Sequence, residues 1–375
     1  MKNREFWRNF DYWLFGSVLI LCVFGIVMIR SAIAGNEVLA ELVTRQSIYV
    51  ALGLVIILAT ALIDYHYWAS LTRMMYIGTI VFLVVIFVIG EVQFGSARRI
   101  DTGLFFIQPS ELAKVILILV LADYFARHQG EKHDLGWIVR SFLMTFGVVI
   151  WILLQPNLST SIVMLVLWFS LLWITGLPPK YLLFFGGLAA IGFVIFLVLL
   201  ASGVKIPFIQ DYQLARVVNF LFPDPNARHG ETYNVEQALI TIGSGGWFGE
   251  GYGHSSQVQL RFLKVRHTDF IFSAMAAEFG FVGTVLVMAL LIFVIIRCFR
   301  AARLATDRFG ALIAYGFAVL LFFQTSVNIG VNLNIIPVTG LTLPFVSYGG
   351  SSLISLVIGI GLVESVVSWR TIYDT

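Results

Sequence analysis

The chain has 375 residues, of which 59% are hydrophobic and only 12% charged, against about 25% charged in an ordinary soluble domain; its mean hydropathy is +0.91. This excludes a water-soluble globule and predicts an all-α polytopic membrane protein. With 24 basic and 21 acidic residues, a net charge of +3 is too balanced for nucleic acid to be a partner.

Apolar windows predict about ten transmembrane helices, near 12–33, 46–64, 74–90, 110–126, 136–154, 158–176, 180–202, 269–297, 309–333 and 345–368, in a single integral membrane domain over 1–375. Lys2, Arg4 and Arg8 precede the first run as they would in a signal peptide. That run is long and lacks a small-residue cleavage site, so it reads as a retained span. A cytoplasmic N-terminus puts Arg73, Arg127, Lys132, Lys180, Arg297, Arg300, Arg303, Arg308 and Arg370 on the inner side. The short outer loops then hold only Arg45, Arg98 and Arg99, so the positive-inside rule favours both termini in the cytoplasm. Residues 203–268 form one long extracytoplasmic loop between the seventh and eighth helices, with short amphipathic pieces at Tyr212–Phe222 and Asn234–Ile242. Cys22 and Cys298 suggest neither a disulfide framework nor a metal cluster.

Charged side chains inside spans cost about 2.5–3.5 kcal/mol each on insertion scales, which makes them candidates for function. Glu111 and Lys114, at i and i+3, share a helix face after Gln108-Pro109-Ser110 and can neutralise each other near the outer boundary. The plain alternative is a buried ion pair that fixes packing. Arg266-His267-Thr268-Asp269 stands where the long loop enters a helix. There Thr268 and Asp269 read as N-terminal caps, or Asp269 reads as a general base kept ionised by Arg266 and His267, which could also hold an anionic substrate. Glu278, nine residues on, falls roughly opposite Asp269, which disfavours a two-carboxylate glycosidase and leaves Glu278 as a packing or relay residue. The glycine series from Gly243 to Gly253 lacks a preceding strand and reads as a flexible or tightly turning loop, not a nucleotide site. Asn328 and Asn332 share a helix face and read as packing residues.

Six segments, GSARRID (95–101), QPSELAK (108–114), QPNLSTS (155–161), IGSGGWFGEG (242–251), HTDFIF (267–272) and LPFVSYGGSS (343–352), closely resemble the SEDS family of shape, elongation, division and sporulation proteins over nearly the whole chain. Arg266 before His267 and the Pro337-Val338-Thr339-Gly340 turn resemble its elongation type more than its division type. The resemblance implies a SEDS-type fold and a peptidoglycan glycosyltransferase. Such an enzyme polymerises lipid II into glycan strands on the outer face of the bacterial cytoplasmic membrane during elongation, with a class B penicillin-binding protein, a transpeptidase, as partner. It places Asp269 at the family's essential acid, Glu111 and Lys114 at its helix pair, and Arg98 at its outer-loop arginine. The chain departs from the family at Asn157, where an acid is usual, and at Ser159, Lys264, Val265, Arg99 and Ala277.

A lipid-linked sugar diphosphate is an anion held at the membrane interface, so its leaving group calls for cations near outer helix ends. Arg98, Lys114, Arg216 and Arg266 are the candidates. A single base at Asp269 would give an inverting displacement. No His, Cys or carboxylate cluster has metal-ligand spacing, which leaves open a Mg²⁺ shared between substrate phosphates. The rival readings are a transporter of the lipid-linked precursor, with Glu111, Lys114 and Glu278 as a relay, and a scaffold without activity. No inverted repeat supports the transporter.

Overall fold

The computed structural model describes residues 2–34, 39–89, 100–101, 106–130, 134–201, 211–222, 231–260, 262–263 and 265–370. In chain order the helices are α1 (Lys2–Asn9), α2 (Tyr12–Ala32), α3 (Glu41–Leu62), α4 (Tyr65–Ile89), α5 (Pro109–Arg127), α6 (Leu135–Leu154), α7 (Leu158–Ile174) and α8 (Pro179–Ala201). They continue with α9 (Asp211–Leu221), α10 (Glu231–Ser244), α11 (Ser256–Gln259), α12 (Ile271–Leu304), α13 (Arg308–Asn332) and α14 (Gly350–Ser368). Two-residue strands β1 (Ile100–Asp101) and β2 (Phe106–Ile107) pair antiparallel just before α5.

The chain is an all-α polytopic membrane protein. Among the described residues, α2, α3, α4, α6, α12, α13 and α14 are long and apolar enough to cross a membrane on length and composition alone. The other three predicted spans are α5, which carries Glu111, Lys114, Asp123 and Arg127, α7, which has 17 residues, and the apolar α8. The amphipathic pieces predicted in the long loop are the helices α9 and α10.

Local chemistry sets the helix starts. Asp11, Asp134 and Asp307 accept hydrogen bonds from backbone N–H groups in the first turns of α2, α6 and α13, and Pro109 opens α5 where its missing N–H costs nothing. α5 is the axle of the bundle. Most of its residues are buried against α4, α7, α13 and α14, so its ionisable pair lies inside protein rather than in lipid. Small residues set the closest approaches: a Cβ at Gly359 of α14 would stand 1.8 Å from the Phe317 ring of α13. By contrast, α4 and α8 leave large apolar side chains such as Val88 and Leu183 on the outside, where hydrocarbon is the matching solvent.

One predicted span, 269–297, runs further than expected and is not continuous. α12 extends to Leu304 and breaks at Gly280, whose φ of 66° and ψ of −168° lie outside helical space. The glycine-rich loop after α10 supplies the hydrogen bonds lost at this kink. Glu250 N–H donates to the Ala277 carbonyl (2.9 Å) and Gly251 N–H to that of Glu278 (3.0 Å). The freed N–H groups of Phe281 and Val282 donate to Gly246 (2.9 Å) and Trp247 (3.1 Å). Backbone meets backbone so closely that a Cβ at Gly249 would stand 2.1 Å from the Glu278 oxygen. The glycine series is therefore a tight splint around a broken helix, not a flexible tether.

Candidate active site

Asp269 occupies the last turn before α12, half-buried, and the structure corrects its reading as a helix cap. The N-cap residue is Phe270, with no side-chain cap of its own. The cap comes from another helix. Asn332 Oδ1 on α13 accepts from the Ser273 N–H (3.1 Å) and from the Ser273 hydroxyl (2.6 Å). The amides of Asn332 and Asn328 both donate to the Asp269 carbonyl, at 2.9 and 3.1 Å, and Asn328 also donates to the Leu341 carbonyl at 2.8 Å. These two asparagines, predicted as packing residues, hold the backbone of Asp269, and Asn332 performs the capping. The Asp269 carboxylate stands at the positive end of a helix, which favours an anion.

The 343–352 segment braces the same turn from the other side. Ser347 Oγ donates to the Thr268 carbonyl (2.8 Å) and Tyr348 N–H to that of His267 (2.9 Å). Gly340, in the turn after α13, lies beside the carboxylate: a Cβ there would be 4.0 Å from Asp269 Oδ2, and its φ of 76° favours glycine. Sequence reasoning took this turn only as a mark of subtype. The glycine itself, suited to a positive φ, is the sequence signal that the turn is tight there.

Further hydrogen bonds run from the turn to the helix pair. Ser159 Oγ donates to the Thr339 carbonyl (2.5 Å), and Asn157 Nδ2 reaches Ser110 Oγ (3.5 Å) at the start of α5. Gln108 adds two links, its N–H donating to Ser351 Oγ (2.9 Å) and its amide to Ser110 Oγ (3.1 Å). One turn further along α5, Lys114 Nζ lies 2.9 Å from Glu111 Oε2; Lys114 is fully buried and Glu111 is 8% exposed. Segments separated by up to 243 residues thus share one framework.

The remaining predicted residues divide clearly. Arg266 is buried and donates to the Ala32 carbonyl at the end of α2 and to Leu263 (3.2 Å), so this guanidinium ties the turn to α2. His267 is half-buried, and burial together with the Arg266 charge pushes its imidazole below the ordinary 6.5, favouring the neutral ring. Arg216, on α9, lines a cavity shared with Glu236. Glu278 is buried and accepts from the Ser31 hydroxyl on α2, well separated in role from Asp269. Arg98 and Lys264 lie outside the described residues. Among the described residues, no group of three His, Cys, Asp or Glu side chains could hold a metal.

A turn bearing a half-buried carboxylate, linked by hydrogen bonds to the start of the helix that carries a buried acid–lysine pair, defines the candidate site of this polytopic helical bundle. The chain belongs to the cell cycle protein family that comprises FtsW, RodA and SpoVE, whose profile matches residues 12–371. Among its relatives, the probable peptidoglycan glycosyltransferase FtsW of Hydrogenovibrio crunogenus is 36% identical over 94% of this chain and 90% of that protein. Peptidoglycan glycosyltransferase MrdB of Escherichia coli is 35% identical over 98% and 97%. The crystal structure of RodA from Thermus thermophilus is similar at a TM-score of 0.69 and 32% identity, covering 96% of this chain and 97% of that one. A chain from a structure on the coordination of polymerization and crosslinking by a peptidoglycan synthase complex reaches a TM-score of 0.81 at 31% identity, covering 98% and 99%.

Proposed function

We propose that Asp269 is the general base of this peptidoglycan glycosyltransferase. The acceptor hydroxyl of one lipid-linked saccharide attacks the anomeric carbon of another; a C–O bond forms, the bond to the diphosphate breaks, and the hydroxyl proton passes to the Asp269 carboxylate. Configuration inverts in one displacement. The observation that carries this reading is that Asn332, not Asp269, caps the start of α12, while the Asp269 carboxylate, half-buried, faces the Gly340 turn at the positive end of that helix. A positioned base contributes about 10²–10⁴ in rate.

The departing diphosphate needs cations. Arg98 is assigned to it directly, and Lys114, fully buried against Glu111, would reach it only where that pair opens. His267, neutral and half-buried, is assigned to substrate contact beside the base, while Arg266 holds the turn. Among the described residues no group of three His, Cys, Asp or Glu could hold a metal, so a divalent cation such as Mg²⁺ would come with the substrate and neutralise phosphate charge. The distribution of Lys and Arg supports both termini in the cytoplasm and the site on the outer face of the bacterial cytoplasmic membrane. Arg266 and the Pro337–Gly340 turn support the elongation role, and the likeness to a synthase-complex chain supports a class B penicillin-binding protein as partner. Lipid II supplied to the purified full chain, without a membrane gradient, tests the reading: glycan strands are expected, and translocation without polymer would overturn it.

A further inference from the structure

A cavity of about 270 Å³ lies between the two loop helices and the turn after α13. Arg216, Asn219 and Phe220, at i, i+3 and i+4, present one face of α9 to it; Glu236 and Leu239 of α10 face them, and Val338 closes one side. α9 is pinned to the site, since Gln213 Nε2 donates to the Pro156 carbonyl (3.1 Å), one residue before Asn157. Val338 is two residues from Gly340, so at about 3.3–3.6 Å per residue the wall of the cavity is within about 7 Å of backbone from the glycine facing Asp269.

We infer that this cavity is a saccharide subsite that holds one ring of the glycan chain next to the reacting sugar. The inference rests on the glycosyltransferase reading above. A pyranose ring has apolar C–H faces and a rim of hydroxyl and amide groups, and the lining divides the same way: Phe220, Leu239 and Val338 offer apolar walls, while Arg216, Asn219 and Glu236 offer donors and acceptors. A diphosphate would be repelled by the Glu236 carboxylate, so Arg216 serves a sugar here and not the leaving group. The volume falls below the roughly 300–1,000 Å³ of pockets for drug-sized ligands, which suits one ring and not a whole lipid-linked disaccharide peptide.

The test uses the purified full-length protein and an uncrosslinked glycan tetrasaccharide that carries neither lipid nor diphosphate. Calorimetry should show binding to the wild type, weakened at least tenfold by Leu239→Trp, which fills the cavity, and at least threefold by Glu236→Gln, which keeps its shape. Pyrophosphate should not compete, and both variants should make shorter glycan strands from lipid II. Should Leu239→Trp fail to fold, Glu236→Gln carries the comparison. No tetrasaccharide binding to the wild type, competition by pyrophosphate, or unchanged affinity and strand length in a folded variant would overturn the subsite. A wild type that binds the tetrasaccharide but makes no polymer would instead overturn the glycosyltransferase reading and leave a sugar-binding cavity.

Discussion

Asn157 stands where the resemblance to the SEDS family implies an acid, and its position explains why an amide serves. Its Oδ1 accepts from the Thr160 N–H at 3.3 Å, capping α7, while its Nδ2 faces Ser110. Aspartate would keep the cap, and the Ser110 hydroxyl would turn to donate. Asn157→Asp should therefore change the polymerisation rate less than tenfold at every pH; a tenfold gain with a new titrating group would contradict a single-base mechanism. His267 gives a pH dependence of the same sign as a paired carboxylate, in a higher pH window. Its folded value is lowered, so below about 6.5 the unfolded chain binds a proton that the folded one resists, and stability rises with pH through that window. Thermal unfolding between pH 5 and 7 should show this slope, and His267→Gln should flatten it. At this scale the sequence already showed Asp269 and the Glu111–Lys114 pair, because charge in an apolar context is conspicuous. The capping by Asn332 was hidden, since its partner Ser273 lies 59 residues away.

Among the elements, α2, α12 and α14 are tied together by a mostly buried cluster of ionisable groups. Asp11 N–H donates to Glu364 (3.0 Å), and Arg297 Nε donates to the Asp11 carboxylate (2.8 Å). Removing the cation strands two buried acids, so Arg297→Ala should destabilise the folded protein by about 3–5 kcal/mol, read as a large fall in melting temperature in detergent. A melting temperature within a degree of wild type would show that the cluster adds nothing. Apolar periodicity made most of these helices legible, together with the amphipathic α9 and α10. It hid the break in α12 because hydropathy stays high across Gly280, and the splint lies in a loop with no periodicity of its own.

For the whole molecule, hydrogen bonds between segments far apart in sequence join the turn that carries Asp269 to the start of the helix that carries the buried Glu111–Lys114 pair. Composition established the membrane class, and the order of the six segments established the family. How those segments meet depended on tertiary contacts that no local pattern encodes. The central claim is that Asp269 is a base and not a cap. Asp269→Asn, purified in detergent, separates the two, because asparagine keeps size and capping capacity but cannot accept the proton. The account predicts a melting temperature close to wild type and a loss of about 10²–10⁴ in lipid II polymerisation; polymerisation near the wild-type rate, or a collapsed melting temperature that alone accounts for the loss, would contradict it.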